Sequence, residues 1–225
     1  LIAGDVYDGD WKDYNTGLYF VKQMARLKSA GIPVFLIAGN HDARSVMTKK
    51  LQLPENVHTF PTRKADTVQL EALGVAIHGQ GFATKAVTTD LTAGYPESVG
   101  GAFNIGLLHT SLTGYEGHDT YAPCTVDGLT RLGYDYWALG HIHKMECIQE
   151  ADPAIWFSGN IQGRHIHESG PRGCLLVTVD DRHEVQVDFR PLDVLRWETL
   201  AVEVSACGDV ADVVRSFTEH LEQAV

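Results

Sequence analysis

The sequence predicts an α/β fold with parallel β-strands. Several apolar runs have the length of buried strands and are separated by polar or glycine-rich segments. One run, residues 34–38, follows an amphipathic segment at 14–30 that ends near Gly31 and Pro33, which is the order of a β-α-β unit. Because strands joined through a helix run parallel, this unit favours a parallel sheet.

The elements can be predicted in order along the chain. Residues 1–3 are apolar and are expected to be the end of a buried strand. The helix at 14–30 places Phe20, Met24 and Leu27 on one face. Short apolar runs are predicted to be strands at 34–38, 75–77, 105–108, 136–139 and 155–157, with a long loop at 84–101.

The last part of the chain predicts a hairpin and the beginning of a second module. Segments 174–179 and 184–189 alternate in polarity and are joined by a short polar turn, which is typical of a β-hairpin. We expect the hairpin to close the first domain at about residue 190. After Pro191, a strand at 198–204 and a helix from Val210 are predicted.

Composition excludes several classes of protein. No apolar stretch reaches the length of a membrane span and no signal peptide is recognisable, so a cytoplasmic protein is expected. The formal net charge of -11 argues against a surface that is basic overall, so contact with nucleic acid would need local patches or bound metal. The cysteines are widely spaced, which favours reduced thiols without structural zinc.

Potential metal ligands follow four of the apolar runs directly. The carboxyl ends of strands are where open α/β sheets build their sites, so these side chains are expected to converge. They are Asp5, Asn40, His109, His141 and His143. This mixture of oxygen and nitrogen donors suits Mn(II), Fe(II), Zn(II) or similar ions. Sites for Mg or Ca that consist only of oxygen ligands would not use three imidazoles.

Each motif also has a purely structural interpretation. Gly4-Asp5 after a strand is usually a turn or a helix cap, and the tetrapeptide GNHD at 39–42 is compatible with a polar turn. GNHD nevertheless combines a ligand, an acid and a partner that orients the acid. In GHIH at 140–143, residues two apart on an extended segment point the same way, whereas the alternative is a loop with incidental histidines. Their joint order favours a metal site.

The order GD-x-x-D, GNHD, a single histidine after a strand, and GHIH resembles the calcineurin-like metallophosphoesterase superfamily. The stretches GDVYDGDW, AGNHDA, LLHTSLTG and FSGNIQGRHIHESGPRGC resemble its DNA repair exonuclease branch of the SbcD and YhaO type. The resemblance covers about residues 1–190. It implies a metallophosphoesterase sandwich of two mixed β-sheets flanked by helices, followed at 191–225 by the start of a small α+β capping domain.

The resemblance also implies a dinuclear metal centre. In it, Asp5 bridges two divalent ions, Asn40, His109 and His141 complete the shell of one ion, and His143 binds the other. Mn(II) is the expected metal, with Fe(II), Zn(II) and Mg(II) as alternatives.

The implied reaction is phosphodiester hydrolysis by a DNA exonuclease or endonuclease in DNA repair. The two ions stabilise charge on the phosphoryl oxygens, and His41 acts as the acid near the leaving oxygen. Asp42 would hold the ring of His41 through its other nitrogen.

One motif of the superfamily is missing from the sequence. An Asp-x-His on the preceding strand would supply two ligands to the ion held by His143, and no such motif precedes Leu1. We therefore expect either that the nuclease domain is truncated at its N-terminus or that an upstream segment carries the motif. The fragment alone is expected to bind this ion weakly and to turn over little or no substrate.

Substrate contacts are predicted from polar and basic residues near the motifs. The candidates are Asp8, Arg44, Arg164 and His165. Lys49, Lys50 and Arg172 would complete a local basic patch for a DNA strand. For Asp8 the alternative is a helix cap, and for the patch it is a solvated face.

The resemblance further implies DNA and a coiled-coil ATPase of the SbcC type as partners, and a homodimer of the full-length protein. Two alternatives remain open. One is a phosphatase or small-molecule phosphodiesterase on the same scaffold, which metal ligands alone do not exclude. The other is a non-catalytic binding scaffold, against which the presence of His41 beside the ligands argues.

Overall fold

The computed structural model describes residues 1–7, 14–44, 51–113 and 121–224. The strands are β1 Val34–Leu36, β2 Val57–Thr59, β3 Asp66–Leu70, β4 Val75–Gly79, β5 Phe103–His109, β6 Tyr136–Gly140, β7 Glu146–Gln149, β8 Ala154–Phe157, β9 Gly173–Val179 and β10 Val185–Pro191. The helices are α1 Asn15–Ser29, α2 Asn40–Arg44, α3 Val126–Thr130 and α4 Val210–Ala224. Among these residues, no helix has the length and apolar character that crossing a membrane requires.

A six-stranded mixed sheet forms one layer of the molecule, in the order β3-β4-β5-β6-β8-β7. Strands β4, β5, β6 and β8 run parallel, whereas the edge strands β3 and β7 are antiparallel to their neighbours. The central strands are buried on both faces, which is why they appear in the sequence as continuous apolar runs. The predicted parallel strands are therefore confirmed.

Two smaller sheets form the second layer. In the first, β1 pairs in parallel with β2, and Ile2 forms a parallel bridge with Leu36 on the other side of β1. Phe35, Ile37 and Leu107 belong to one buried cluster, so this sheet packs against β5. Residues 1–3 thus lie beside β1 through a single bridge, whereas the sequence predicted the end of a buried strand, and Leu1 is exposed.

The second small sheet is the predicted hairpin of β9 and β10, which are antiparallel. Val177 and Val187 pack against Phe103 and Tyr136, at the first residues of β5 and β6. The hairpin therefore covers the amino end of the large sheet, while β1 and β2 cover its carboxyl half. Together the layers form the predicted α/β sandwich.

The helices agree with the sequence prediction more closely than the C-terminal strand does. Helix α1 buries Met24 and ends before Gly31, which has a positive φ of 70°. Helix α4 begins at Val210 as expected. The prediction of a strand at 198–204 is wrong, because this segment forms no strand and belongs to none of the sheets of the described chain.

The C-terminal segment after β10 returns to the large domain through hydrogen bonds. The Leu192 N–H donates to the carbonyl of Arg172 over 2.8 Å, and the Gly170 N–H donates to the carbonyl of Trp197 over 2.8 Å. The side-chain amide of Gln162 also donates to the carbonyl of Leu195. Residues 192–197 are therefore fastened to the loop at 158–172.

Candidate metal centre

Four segments of the chain meet at the carboxyl edges of the two facing sheets. The bridge of Ile2 places Asp5 just beyond the first sheet, and β1 leads into α2 through Gly39. In the large sheet, His109 is the last residue of β5, and His141 directly follows β6. Because these strands run parallel, their ends lie at one edge, and the convergence predicted from the sequence is observed for Asp5, Asn40, His109 and His141.

The segments approach so closely that two glycines are required. A Cβ atom at Gly140 would lie 2.0 Å from the carbonyl oxygen of Ala3. One at Gly39 would lie 2.2 Å from Oδ1 of Asp5. Both distances are far below van der Waals contact, and neither neighbour can move freely because both belong to the site.

Two of the candidate ligands have left-handed backbone conformations. Asp5 has a φ of 53° and His141 has a φ of 96°. Aspartate tolerates this region, but histidine at such an angle is strained, and strain of this kind is concentrated at functional sites. The chain therefore turns at His141, which corrects the expectation that GHIH is extended.

The His109 ring shows why a cation fits here. Nδ1 lies 2.8 Å from the carbonyl oxygen of Ala3, which can only accept, so Nδ1 carries the proton. In the neutral ring Nε2 then presents a lone pair, and it lies 2.9 Å from Oδ1 of Asn40 and 3.3 Å from Oδ2 of Asp5. Three electron-rich atoms converge, and a divalent cation would turn their repulsion into coordination.

Asp5 is held as an ionised ligand. Its Oδ1 accepts the backbone N–H of His41 over 3.0 Å, while Oδ2 faces His109. Burial would raise the pKa of the Asp5 carboxyl, but a proton on Nε2 of His109, with the charge it brings, and the His41 N–H lower that pKa below its ordinary value. A divalent cation in place of the Nε2 proton would favour the ionised carboxylate in the same way. Asp5, His109 and His141 offer ligand atoms within 4.8 Å of one another, a spacing that fits one ion.

Aromatic side chains fix the imidazole rings from the side. Phe82 meets His109 edge to face at 5.2 Å between ring centroids, and Tyr121 meets His141 in the same way at 5.4 Å. His109 has no exposed surface. The rings are therefore oriented before any ion binds, which reduces the entropy lost on coordination.

Asn40, His41 and Asp42 of GNHD lie in the short helix α2, so the motif is not an isolated polar turn. Within the described chain, the hydrogen bonds of the Asp42 carboxylate join it to the backbone N–H groups of Val6, Tyr7 and Gly39, at 3.2, 3.2 and 3.0 Å. Burial and the charge of Asp5 raise its pKa, against the effect of these bonds. Asp42 therefore holds the loop that carries Asp5, a different contact from the one expected with the His41 ring.

His143 belongs to a second group of side chains. Its Nδ1 lies 2.5 Å from Oε1 of Glu168. Oε2 of Glu168 accepts the backbone N–H of Arg164 over 2.7 Å and the side-chain amide of Asn160 over 3.2 Å. Burial opposes ionisation of Glu168, but these hydrogen bonds and the nearby His143 lower its pKa to about 2.

Glu168 was missed by the sequence analysis. It lies in GRHIHESG, a segment in which only Arg164 and His165 were considered as functional residues. The available signal was an acidic residue in the segment after β8, at the same edge as the other motifs. Sequence spacing alone does not pair it with His143, which lies on a different loop.

The predicted substrate contacts have different outcomes. Arg164 and His165 are exposed on the loop at 158–172. Asp8, Lys49, Lys50 and the side chain of Arg44 lie outside the described residues. Arg172 cannot join a basic patch, because it is buried and its guanidinium donates to the carbonyls of His143 and Ser169 over 2.6 and 3.0 Å.

Comparisons with known proteins agree with this geometry. A family model described as calcineurin-like phosphoesterase matches residues 1–145. The chain is similar to a protein of Bacillus subtilis (strain 168) named "Uncharacterized metallophosphoesterase YhaO", with 38% identity over 208 residues that cover 91% of this chain. Those residues cover 51% of the relative, so the chain spans about half its length.

Among solved structures, the chain is similar to a Staphylococcus aureus protein provisionally named a 5'-nucleotidase and crystallised with alpha-ketoglutarate. The TM-score is 0.40 and the identity 10%, and the match covers 92% of this chain and 44% of that one. The likeness is too distant to bear on the substrate.

Proposed function

The chain belongs to the calcineurin-like phosphoesterase family, whose members are hydrolases that use divalent metals, and from this premise we propose that it hydrolyses phosphodiester bonds in DNA. The proposed enzyme is a metal-dependent exonuclease or endonuclease that acts in DNA repair. Two divalent ions, with Mn(II) as the proposed metal, would occupy the site.

The observation that carries the proposal is the convergence of donor atoms around His109. Oδ1 of Asn40 and Oδ2 of Asp5 lie 2.9 and 3.3 Å from its Nε2, and His141 completes the group. Imidazole, amide and carboxylate in one buried position is a ligand set for a borderline divalent ion. A site built only for stability would not turn three electron-rich atoms toward one another.

We assign Asp5, Asn40, His109 and His141 to one ion, and Asp5 and His143 to the other. When bound, two such ions polarise a phosphoryl group and stabilise the charge of the attacking and leaving oxygens. The residues of the chain hold this geometry rigidly. Asp42 and the His41 N–H fix the loop and carboxylate of Asp5, and the Ala3 carbonyl fixes the tautomer of His109.

His41 is proposed to be the acid that assists the leaving oxygen. It occupies the first turn of α2, and its backbone N–H contacts Asp5. Its ring is half-buried, at the carboxyl edge where the ligands meet. A neutral or charged imidazole next to two cations is suited to donate a proton or hydrogen bond to an oxygen that gains negative charge.

DNA is favoured as substrate by the loop at 158–172. This loop presents the exposed side chains of Arg164 and His165, while Glu168 in the same loop contacts His143. Arginine beside a phosphoryl site is suited to bind a neighbouring phosphate of the same strand. The remaining candidates, Asp8 and Arg44, stay predictions.

A small phosphoester is the second candidate substrate, and the net charge of -11 favours it. A polyanion approaching an acidic protein would be repelled more strongly than a mononucleotide or other small ester, which carries fewer charges.

We also propose a homodimer and a coiled-coil ATPase partner of the SbcC type for the full-length protein, with the capping domain beginning at about residue 191. These proposals are supported by the sequence resemblance.

The deciding experiment is an assay of Mn(II)-dependent nucleotide release from end-labelled duplex DNA by the full-length protein. His41→Ala serves as the catalytic control, and nucleoside monophosphates and small diesters serve as competing substrates. Release that requires both Mn(II) and His41 supports the nuclease. Hydrolysis confined to small esters supports the second candidate, and metal binding without any hydrolysis leaves only a binding scaffold.

A further inference from the structure

We infer that Glu168 is a positioning residue that selects the ligand atom of His143, by holding the proton on Nδ1 so that Nε2 is available to the second ion. The inference deepens the proposed function and rests on it, because it requires His143 to bind an ion. Glu168 would touch neither the ion nor the substrate and would act through the imidazole.

The first argument is the geometry of the contact. Oε1 of Glu168 lies 2.5 Å from Nδ1 of His143, and only 8% of the Glu168 side chain is exposed, so water competes little for this bond. An ionised carboxylate can only accept hydrogen bonds, so Nδ1 must donate. The lone pair of the neutral ring is thereby assigned to Nε2.

The second argument is that the other oxygen of Glu168 is already committed. Oε2 accepts from the backbone N–H of Arg164 and from the side-chain amide of Asn160. Both partners are hydrogen-bond donors, so only an acceptor atom at the position of Oε2 can satisfy them. The carboxylate is therefore held between the loop on one side and the imidazole on the other.

The third argument is that the backbone of His143 is fixed from the same loop. The carbonyl of His143 accepts from Nη1 of Arg172 over 2.6 Å and from the backbone N–H of Asn160 over 3.0 Å. Main chain and ring are thus both anchored by residues at 160–172. A side chain with this many constraints has one orientation available to it, which is the condition for a well-defined metal ligand.

These contacts make Glu168→Gln an informative substitution. A glutamine amide has one acceptor and one donor end, so it cannot accept from Arg164 and Asn160 and also from His143. If its oxygen satisfies the loop, its NH₂ group faces Nδ1 of His143. The imidazole proton then moves to Nε2, the atom that must be unprotonated to bind an ion.

The test begins without metal. The full-length protein, labelled with ¹⁵N-histidine, is examined by two-bond ¹H–¹⁵N correlation at a pH above the imidazole range, with His143→Gln used to assign the signal. We expect Nδ1 of His143 to carry the proton in the unsubstituted protein and Nε2 to carry it in Glu168→Gln. The same tautomer in both proteins would overturn the inference, whatever the activity of the protein.

The second measurement is calorimetric titration with Mn(II). In Glu168→Gln we expect the affinity of one site to fall by about 10- to 100-fold, as is usual when a ligand loses its hydrogen-bonding partner, while the other site is unchanged. Glu150→Gln, at an exposed glutamate, is the matched control and should bind as the unsubstituted protein does. Unchanged affinity at both sites of Glu168→Gln would also overturn the inference.

The two levels of proposal fail in different ways. If the unsubstituted protein binds no Mn(II) and cleaves no phosphoester, the proposed function fails, whereas the tautomer measurement still reports whether Glu168 orients the ring. If Glu168→Gln does not fold by circular dichroism, Glu168→Asp replaces it. This variant keeps the charge but has a shorter reach, and loss of the Nδ1 tautomer with weaker binding at one site is the expected result. An unchanged tautomer and unchanged affinity would contradict the inference.

Discussion

The backbone N–H of His41 donates a hydrogen bond to Oδ1 of Asp5 over 3.0 Å, which fixes the carboxylate from the side opposite His109. Oδ2 of the same carboxylate lies 3.3 Å from Nε2 of His109. The main chain of His41 therefore orients a metal ligand, while its side chain is assigned to the substrate. Because the two roles use different atoms, a change of side chain can separate them.

His41→Ala should lower catalysis without lowering metal affinity. The substitution keeps the backbone N–H that positions Asp5 and removes only the proposed acid. We expect kcat for phosphodiester hydrolysis to fall by about 100- to 10,000-fold, the usual contribution of a positioned acid or base. Steady-state kinetics together with a Mn(II) titration measure both quantities.

The leaving group provides the control for this prediction. An aryl phosphodiester such as bis(p-nitrophenyl) phosphate has a leaving oxygen that needs little protonation, so its hydrolysis should be much less sensitive to His41→Ala than that of DNA. An equal loss for both substrates would contradict the role of His41 as an acid.

Asp5→Asn should weaken binding at both metal positions. The amide keeps the size of the side chain but removes the negative charge that would be shared by two cations. We expect the Mn(II) affinity to fall by more than the about 10- to 100-fold that loss of a ligand's hydrogen-bonding partner costs. Calorimetry measures this effect, and Asp66→Asn, at an exposed position on β3, should leave the titration unchanged. Binding of two ions with unchanged affinity would contradict a bridging Asp5.

Gly140→Ala should destabilise the metal-free protein. The new Cβ would lie 2.0 Å from the carbonyl oxygen of Ala3, a backbone atom that also accepts from His109. We expect a loss of about 1–3 kcal/mol in the free energy of unfolding, which is typical of overpacking. Urea denaturation of the metal-free protein checks this value.

Gly100→Ala is the matched control for Gly140→Ala. A Cβ at Gly100 would meet no atom within 4 Å, and this glycine has no positive φ. Its stability should equal or slightly exceed that of the unsubstituted protein, because alanine restricts the unfolded chain. If both variants lose the same stability, the close approach of Ala3 and Gly140 is not what limits the fold.

Metal affinity should decrease as the pH is lowered through the range in which imidazoles take up a proton. Coordinated nitrogen must be unprotonated, so each histidine ligand that takes up a proton competes with the ion. From about pH 8 to about pH 5, Mn(II) affinity is expected to decrease steeply, since histidine titrates within this interval. Isothermal titration at both values, with correction for buffer ionisation, gives the comparison. Equal affinities would show that imidazoles do not bind the metal.

The parallel core and the first ligand group could be predicted from the sequence because both depend on local patterns. Continuous apolar runs such as the one ending at His109 indicated strands buried on both faces, and a polar residue after such a run lies at the carboxyl edge whatever the detailed packing. The helical state of GNHD was not apparent, because a five-residue helix has no periodicity to detect.

Contacts between distant loops could not be predicted in this way. Glu168 and His143 are 25 residues apart and meet through the folding of two loops that have no repeating pattern. The partners of Asp42 are three backbone N–H groups, two of them 35 and 36 residues away, and backbone groups leave no signature in a sequence. The strands β2, β3 and β7 were missed for a related reason, since their residues are half-buried or exposed and lack a clear apolar run.

The glycine contacts at the carboxyl edge also bear on how the fold responds to its metal. Ala3 and Asp5 extend the small sheet, His109 and His141 extend the large one, and an ion held by side chains from both would act as a crosslink that exists only in the native state. Linkage then requires the unfolding temperature to rise with ion concentration. The free energy of unfolding should increase by about 2.7 kcal/mol when the free ion is at 100 times its dissociation constant. A thermal shift series across divalent metals would therefore rank the ions by affinity without any knowledge of the substrate.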